Sequence, residues 1–277
     1  LQREQAARAE AEHANRVKDE VLAILSHELR SPLTPILAWA QLLQIRQFDA
    51  TKTTEALAMI ERYAKLQTQL IDDLLDIAKI LRGKLSMKMA PVDLVFVIKA
   101  AIDTVKAAAT TKSIRIHSVL PQIGRVSGDS VRLQQIVWNL LSNAIKFTPS
   151  KGDVEVKLEQ VESGEVRKGV NEGDTLSPFT HYAQITVTDN GKGINPNFLP
   201  HIFESFQQED ASTTRRYGGL GLGLAIVRHL VKAHGGTIWA DSKGEGQGAT
   251  FTIYLPLLNL ELEQNQLEKS PKPELDL

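Results

Sequence analysis

Apolar residues at Val21, Leu25, Leu29, Leu33, Ile36, Ala40 and Leu43 recur every three or four positions. This spacing predicts a helix with one buried stripe. Residues 1–20, just ahead, are rich in Ala, Glu, Gln and Arg and hold no Gly or Pro. That composition favours a long exposed helix or coiled coil running straight into the first. The helix is expected to end between Gln44 and Asp49. There Arg46-Gln47-Phe48-Asp49 makes the turn, and Asp49 or Thr51 can cap the next helix. Met59, Ile60, Tyr63, Leu66, Leu70, Leu74, Ile77 and Leu81 carry a second stripe to about Arg82, with Gly83 suited to its C-terminal cap. Two helices joined by a short loop form an antiparallel hairpin. A hairpin buries little surface alone, so the pattern predicts a dimer that builds a four-helix bundle.

The pattern changes from Lys84 onward, where a second domain begins. Met87 to Val92 suits a strand, and Asp93 caps a helix over about Leu94 to Ala109. Ile114, Ile116 and Val119 predict a strand, and Arg125 to Ser127 another. Asp129 or Ser130 caps an amphipathic helix from Val131 to Phe147. Val154, Val156 and Leu158 alternate as a strand should, as do Ile185, Val187 and Asp189. Glu159 to Pro178, polar and Gly-containing, is expected to be a long hairpin loop. A short helix follows Gly193, then a polar loop, the Gly218–Gly223 run, and a helix to about Ala233. Gly236 to Ala240 and Ala249 to Leu255 close a sheet. The fold class expected is α+β: a helical hairpin, then an α/β sandwich with helices on one sheet face. From Leu258 the chain turns polar and resembles a linker.

Composition narrows the function classes. The 277 residues are 42% hydrophobic and 23% charged, enough for a sizeable core. A net charge of -1 argues against a general nucleic-acid binder. The absence of cysteine excludes disulfides, thiolate catalysis and Cys-based zinc sites. No apolar run reaches membrane-spanning length and no signal-peptide pattern opens the chain, so a cytoplasmic piece without a membrane segment is expected. The chain begins without Met, in the middle of a helix. It is therefore expected to be a fragment, with a sensor or membrane segment upstream and a further domain downstream.

Chemistry enters at Ser26-His27-Glu28-Leu29-Arg30-Ser31-Pro32-Leu33. His27 lies off the apolar stripe and should face solvent, where neutral imidazole is a competent nucleophile and acid/base group. Ser31 is four residues on and shares its face. Glu28 points to a neighbouring face and can help only through its length and rotamer. Pro32 and Pro35 leave the carbonyls of Glu28 and Ser31 without helical partners, so a bend is expected just after His27. Asp72, Asp73 and Asp76 invite a metal reading, but a solvated helix face accounts for them better. His234 precedes Gly235-Gly236 at a helix end, where a partly charged imidazole favours the dipole.

Three further stretches belong together. Asn139, Asn143 and Lys146 fall on about one helical face, where two amide oxygens can hold a hard cation and Lys can meet a phosphate. Alone, such asparagines are also good surface or capping residues. Asp189-Asn190-Gly191-Lys192-Gly193-Ile194 follows a strand: its carboxylate can accept from an exocyclic amine, and its glycines let the backbone turn beside a ligand. It is equally good turn sequence. Gly218-Gly219-Leu220-Gly221-Leu222-Gly223-Leu224 precedes a helix whose N-terminal N–H groups can bind phosphate. A dinucleotide fingerprint needs a strand just before it, and Ala211 to Tyr217 is polar and basic. That run, with Arg215 and Arg216, reads as a lid over phosphates.

In this order the stretches resemble the catalytic core of bacterial two-component sensor histidine kinases over about Val17 to Pro256. His27 to Leu33 is similar to the phosphoacceptor box and Asn139 to Phe147 to the N box. Asp189 to Gly193 is similar to the first glycine box, Phe203 to Phe206 to the F box and Gly219 to Gly223 to the second glycine box. Gly246 to Thr250 is a weaker third glycine box. The resemblance implies a dimeric hairpin bundle followed by a Bergerat-type ATP-binding sandwich. It divides the chain into a signalling helix over 1–20, a dimerisation and phosphotransfer domain over 21–83, an ATP-binding domain over 84–257 and a linker over 258–277.

The resemblance also implies roles. His27 takes the γ-phosphoryl group of ATP, and Glu28 orients or deprotonates it. Asn143 ligates Mg²⁺ with Asn139 beside it. Lys146 contacts phosphate and Phe147 lies against adenine. Asp189 binds the adenine amine with support from Thr250, and Gly191, Gly193 and Ile194 line that pocket. Gly219, Leu220, Gly221, Leu222, Gly223 and Leu224 frame the lid, with Arg215 or Arg216 near the phosphates. The implied partners are a second copy of the chain, a response regulator receiver domain and an upstream sensor. Two departures stand out. Ser31 replaces the Thr or Asn that positions water when the partner is dephosphorylated, keeping a hydroxyl without the methyl that restricts it. Leu220 replaces a Thr or Ser of the lid. The competing functions are a catalytically silent ATP-binding scaffold, against which the intact motif set counts, and an ATPase of the chaperone or topoisomerase kind, against which the His27 helix counts.

Overall fold

The computed structural model describes residues 2–162, 181–209 and 220–258. The chain divides into two compact units, one of Leu1–Leu85 with Ile202–Ile226 and one of Ser86–His201 with Val227–Leu277.

In the first unit α1 (Gln2–Ile45) and α2 (Ala50–Leu81) pack as a hairpin. The Asp49 carboxylate accepts the Lys52 N–H at 2.7 Å and so caps α2. At the other end Gly83, at φ +63°, lets its own N–H and that of Lys84 return to the carbonyls of Ile80 and Lys79. α1 runs unbroken through Pro32 and Pro35. The expected α2 stripe is only partly covered: Leu70 and Ile77 are buried, but Leu81 is 77% exposed and Leu66 exposed. On α1, Leu33 and Leu37 also face outward. The acidic run is a solvated face only in part: Asp72 is exposed, Asp73 half-buried and Asp76 buried. No group of three or more His, Cys, Asp or Glu able to hold a metal occurs among the described residues.

The second unit is built on a five-stranded sheet. Its strands are β2 (Arg115–Val119), β4 (Asp153–Glu162), β5 (His181–Asp189), β6 (Thr237–Asp241) and β7 (Ala249–Pro256), in the order β2-β4-β5-β7-β6. Only the β2–β4 pair is parallel. A separate antiparallel pair joins β1 (Ala90–Val92) to β3 (Val126–Gly128). The α-helices among the described residues are α3 (Leu94–Thr111), α4 (Ser130–Phe147) and α5 (Gly223–Ala233), the last beginning within the range of the first unit. Period-2 burial on β4 and β5 turns Val154, Val156, Leu158, Ile185 and Val187 to one face, and Leu133, Ile136, Leu140 and Leu141 of α4 are buried with them. Each such side chain contributes roughly 1.5–3 kcal/mol on burial.

Three expectations need correction. The strand placed over Met87 to Val92 starts at Ala90. β4 continues to Glu162, because Glu159 to Glu162 pair with Gln184 to His181; the rest of the expected loop, from residue 163, lies outside the described residues. His234 is not a charged dipole partner. It is buried, its Nδ1 donates to the Leu230 carbonyl at 2.7 Å, and its Nε2 accepts the Asp129 N–H at 3.1 Å. Only the neutral ring can do both, and burial foremost lowers its pKa. Asp129 in turn caps α4 through the N–H groups of Val131 and Arg132 and accepts the Lys88 N–H at 2.9 Å. It pins the chain entering the unit to the start of α4.

Candidate functional site

In the hairpin unit the His27 side chain is 76% exposed and that of Glu28 is 8% exposed. The Nδ1 of His27 lies 3.2 Å from the Glu28 carboxylate. Ser31, one turn on, is exposed like His27. A carboxylate facing Nδ1 fixes the tautomer with the proton on that nitrogen and leaves the Nε2 lone pair directed outward.

In the sheet unit α4 and the end of β5 supply the second group of residues. Asn139 is buried and its Nδ2 has no hydrogen-bond partner. Asn143 stands one turn on, half-buried. The Lys146 ammonium lies over the Phe147 ring at 5.0 Å from its centre. Asp189 ends β5 with its carboxylate buried, and this burial raises its pKa. The N–H groups of Gly191, at 2.8 Å, and Ala249 donate to it and work the other way.

The turn after Asp189 has no room for a side chain at either of its glycines. A Cβ on Gly191 would meet the Phe147 carbonyl oxygen at 2.6 Å, and one on Gly193 (φ +73°) the Gly244 oxygen at 2.0 Å. One on Gly248 (φ +71°) would meet the Asp189 oxygen at 2.0 Å. Ser242 ties these strands together: its Oγ accepts the Ile194 N–H at 3.0 Å and donates to the Gly248 carbonyl at 2.6 Å. Ile194 itself is buried.

Thr250 is not where its expected role needs it. Register places Ala249 opposite Asp189 and Thr250 opposite Thr188. Successive strand residues face opposite ways, so Thr250 lies on the other face of the sheet, with its hydroxyl 3.2 Å from that of Thr188. Asp189 receives backbone support from Ala249 instead.

Of the second glycine run, Arg215, Arg216 and Gly219 lie outside the described residues. Leu220 and Leu222 are buried, and Leu224 is half-buried in the first turn of α5, which opens at Gly223. Gly221 (φ +66°) sits against Gln207, and its carbonyl accepts the Phe206 N–H at 3.2 Å. The F box and this run therefore touch.

Two residues outside the expected set shape the site. Lys112 Nζ donates to the carbonyls of Ile145, Lys146 and Thr148 at 2.7, 2.9 and 3.1 Å. Asn190 accepts the Asp153 N–H at 2.8 Å, while Asp153 takes Arg115 in a bidentate pair at 2.7 and 2.9 Å. Both link segments more than thirty residues apart, and the sequence carries no spacing signal for either.

Residues 17–83 match the family model of the His Kinase A (phospho-acceptor) domain. Residues 128–259 match that of the histidine kinase-, DNA gyrase B- and HSP90-like ATPase. The chain belongs to the histidine kinases. It is 40% identical over 276 residues to hybrid signal transduction histidine kinase D of Dictyostelium discoideum, covering 89% of this chain and 18% of that protein. It is 35% identical to the circadian input-output histidine kinase CikA of Synechococcus elongatus, covering 98% of this chain and 33% of that protein. The kinase core thus spans a third or less of the length of these relatives. The crystal structure of full-length ShkA in complex with AMPPNP shares the fold at TM-score 0.57 and 31% identity, over 87% of this chain and 46% of that one. The architecture is accordingly a helical hairpin followed by a Bergerat-like ATPase domain.

Proposed function

We propose that this kinase core phosphorylates its own His27 from Mg-ATP and passes the phosphoryl group to an aspartate of a response regulator receiver domain. The observation that carries the reading is the His27–Glu28 pair: an exposed imidazole with a nearly buried carboxylate at Nδ1. Nε2 attacks the γ-phosphorus, the bond to the β–γ bridging oxygen breaks, and ADP leaves with that electron pair. The Glu28 carboxylate holds the Nδ1 proton and stabilises the positive charge that develops on the ring. The Ser31 hydroxyl, on the same face, would orient a water that attacks the regulator's aspartyl phosphate, releasing inorganic phosphate and the free carboxylate.

The residues of the sheet unit fit a magnesium nucleotide. Asn139 buried on α4 with the half-buried Asn143 one turn on, and the buried Asp189 carboxylate beside a tight glycine turn, support that fit. Asn143 and Asn139 would hold Mg²⁺, which needs few protein ligands when phosphate and water complete its shell. The ion supplies charge neutralisation on the phosphates. Asp189, with Gly191, Gly193 and Ile194, would take the adenine amine, Phe147 the ring and Lys146 a phosphate. Gly221, Leu222, Gly223 and Leu224 would line the phosphate side at the start of α5, with Gly219, Leu220 and Arg215 or Arg216 completing the lid.

The functional division we assign is 1–20, 21–83, 84–257 and 258–277. It keeps Ile202–Ile226 with the ATP-binding domain because α5 runs from Gly223 to Ala233 without a break. The exposed apolar residues of the hairpin support a homodimer with a four-helix bundle. No described helix is long and apolar enough to cross a membrane, and we place the core in the cytoplasm.

The test is transfer of label from γ-labelled Mg-ATP. Wild type should gain an acid-labile, base-stable label, and His27→Ala should gain none while binding nucleotide normally. Equal labelling of the two proteins would overturn the assignment of His27.

A further inference from the structure

α4 ends unlike α2, α3 and α5. α2, α3 and α5 each close with paired backbone bonds. The N–H groups of Gly83 and Lys84, of Ser113 and Ile114, and of Gly235 and Gly236 return to carbonyls of the preceding turn, all at 2.9 Å. A left-handed residue makes each closure possible: Gly83 at φ 63°, Ser113 at 54° and Gly235 at 71°. α4 runs instead into Thr148 at φ -80°, ψ 133°, and then Pro149, which has no N–H to return. The carbonyls of residues 145 to 148 are therefore left for other donors.

One side chain takes three of them. Lys112, the C-cap of α3, donates its ammonium to the carbonyls of Ile145, Lys146 and Thr148, three protons for three acceptors. The fourth, that of Phe147, accepts the Lys192 N–H at 3.1 Å. The clamp is itself anchored, since the Lys112 carbonyl accepts the Lys151 N–H at 3.1 Å. A cation at the negative end of a helix is the favourable placement. No shorter or neutral side chain could satisfy these three carbonyls in the same way.

We propose that Lys112 is a positioning residue for the nucleotide site. Its ammonium fixes the last turn of α4, so that Lys146, Phe147 and the Gly191–Gly193 turn bonded to the Phe147 carbonyl hold one arrangement. The inference rests on reading these residues as the Mg-ATP site. Lys112 touches no nucleotide; it acts through Lys146, Phe147 and the Gly191–Gly193 turn, which would.

Lys112→Met keeps the unbranched chain as far as Cε and removes the ammonium with its charge and donors. Its KM for Mg-ATP should rise about tenfold, the scale of one lost charge-assisted hydrogen bond, with kcat within about twofold. Titration with a non-hydrolysable ATP analogue should show the same loss, and amide exchange at Thr148 and Lys192 should speed up in the nucleotide-free protein. Ile98→Val, a buried change in the first half of α3, gives the baseline for destabilisation alone and should leave KM unchanged. Because the chain has no cysteine, Lys112→Cys can be aminoethylated at that one position, which restores the ammonium and should restore the affinity.

Wild-type affinity in Lys112→Met, or failure of aminoethylation to recover it in a folded protein, would overturn the clamp. Asp189→Asn separates the two layers. If it loses nucleotide while Lys112→Met keeps it, the site stands and the clamp falls. If wild type and Asp189→Asn bind alike, the site reading fails and the clamp falls with it.

Discussion

Asp73 shows how a single residue can depart from its sequence pattern. It was expected on a solvated face, yet burial foremost raises its pKa from 3.8 to about 6, with Asp76 and Asp72 adding to the rise and the Gln69 amide, 2.9 Å away, opposing it. A carboxyl with a raised folded pKa binds its proton more tightly in the folded state. Ionised above about pH 6, it costs stability, and the cost is relieved as pH falls through the window between about 6 and 3.8. Asp73→Asn should therefore raise Tm at pH 7.5 by more than at pH 4.5. Equal shifts at the two pH values would show that its charge is not the cause. Other residues were easier to place. His27, Glu28, Asn139, Asn143 and Asp189 were singled out because their motifs, taken in order, resemble those of the histidine kinases. Lys112 was hidden because its acceptors are backbone carbonyls 33 to 36 residues away. Thr250 was misjudged because one step along a strand reverses the face, and only the register of β7 with β5 shows which face Asp189 takes.

The elements were legible wherever a period and a cap coincided. Asp49, Asp93 and Asp129 all cap the helices predicted to follow them. Strand ends were less clear, because pairing extends past the alternating apolar positions: Glu159 to Glu162 belong to β4 only through their partners in β5. The glycines separate two kinds of turn. Gly83 and Gly193 both have positive φ, but a Cβ on Gly83 meets nothing within 4 Å, whereas one on Gly193 would lie 2.0 Å from a backbone oxygen. Gly83→Ala should cost only the left-handed conformation, about 1–2 kcal/mol, lowering the stability of the hairpin and leaving nucleotide affinity intact. Gly193→Ala cannot be accommodated without moving the Gly244 carbonyl, so it should abolish measurable binding of the ATP analogue. Thermal melts and analogue titration of the two variants check this. Similar affinities would mean that the Gly191–Gly193 turn is not part of the nucleotide site.

At the scale of the whole molecule, the hairpin does not cover its own apolar surface. Leu37 is 60% exposed, Leu57 54% and Leu75 51%, on helices whose other faces already pack together. Scattered exposed leucines are ordinary, but a run of them on both helices of a hairpin is surface that needs a partner. In the homodimer proposed above, a second copy of the same hairpin would supply a complementary stripe through a two-fold axis, closing the assembly at four helices. Light scattering should then give twice the chain mass at micromolar concentration. Leu37→Glu with Leu75→Glu should give the monomer, because two carboxylates facing an apolar partner surface lose far more than they gain. The variant should keep its affinity for the ATP analogue, since Asn139, Asn143 and Asp189 belong to the unit of Ser86–His201. A monomeric wild type would mean that these leucines serve another partner. A variant that is still dimeric would move the interface off this face. Retained affinity in a monomer would separate the two duties of the chain: nucleotide binding would belong to residues 84–257, and presentation of His27 to the assembled hairpins.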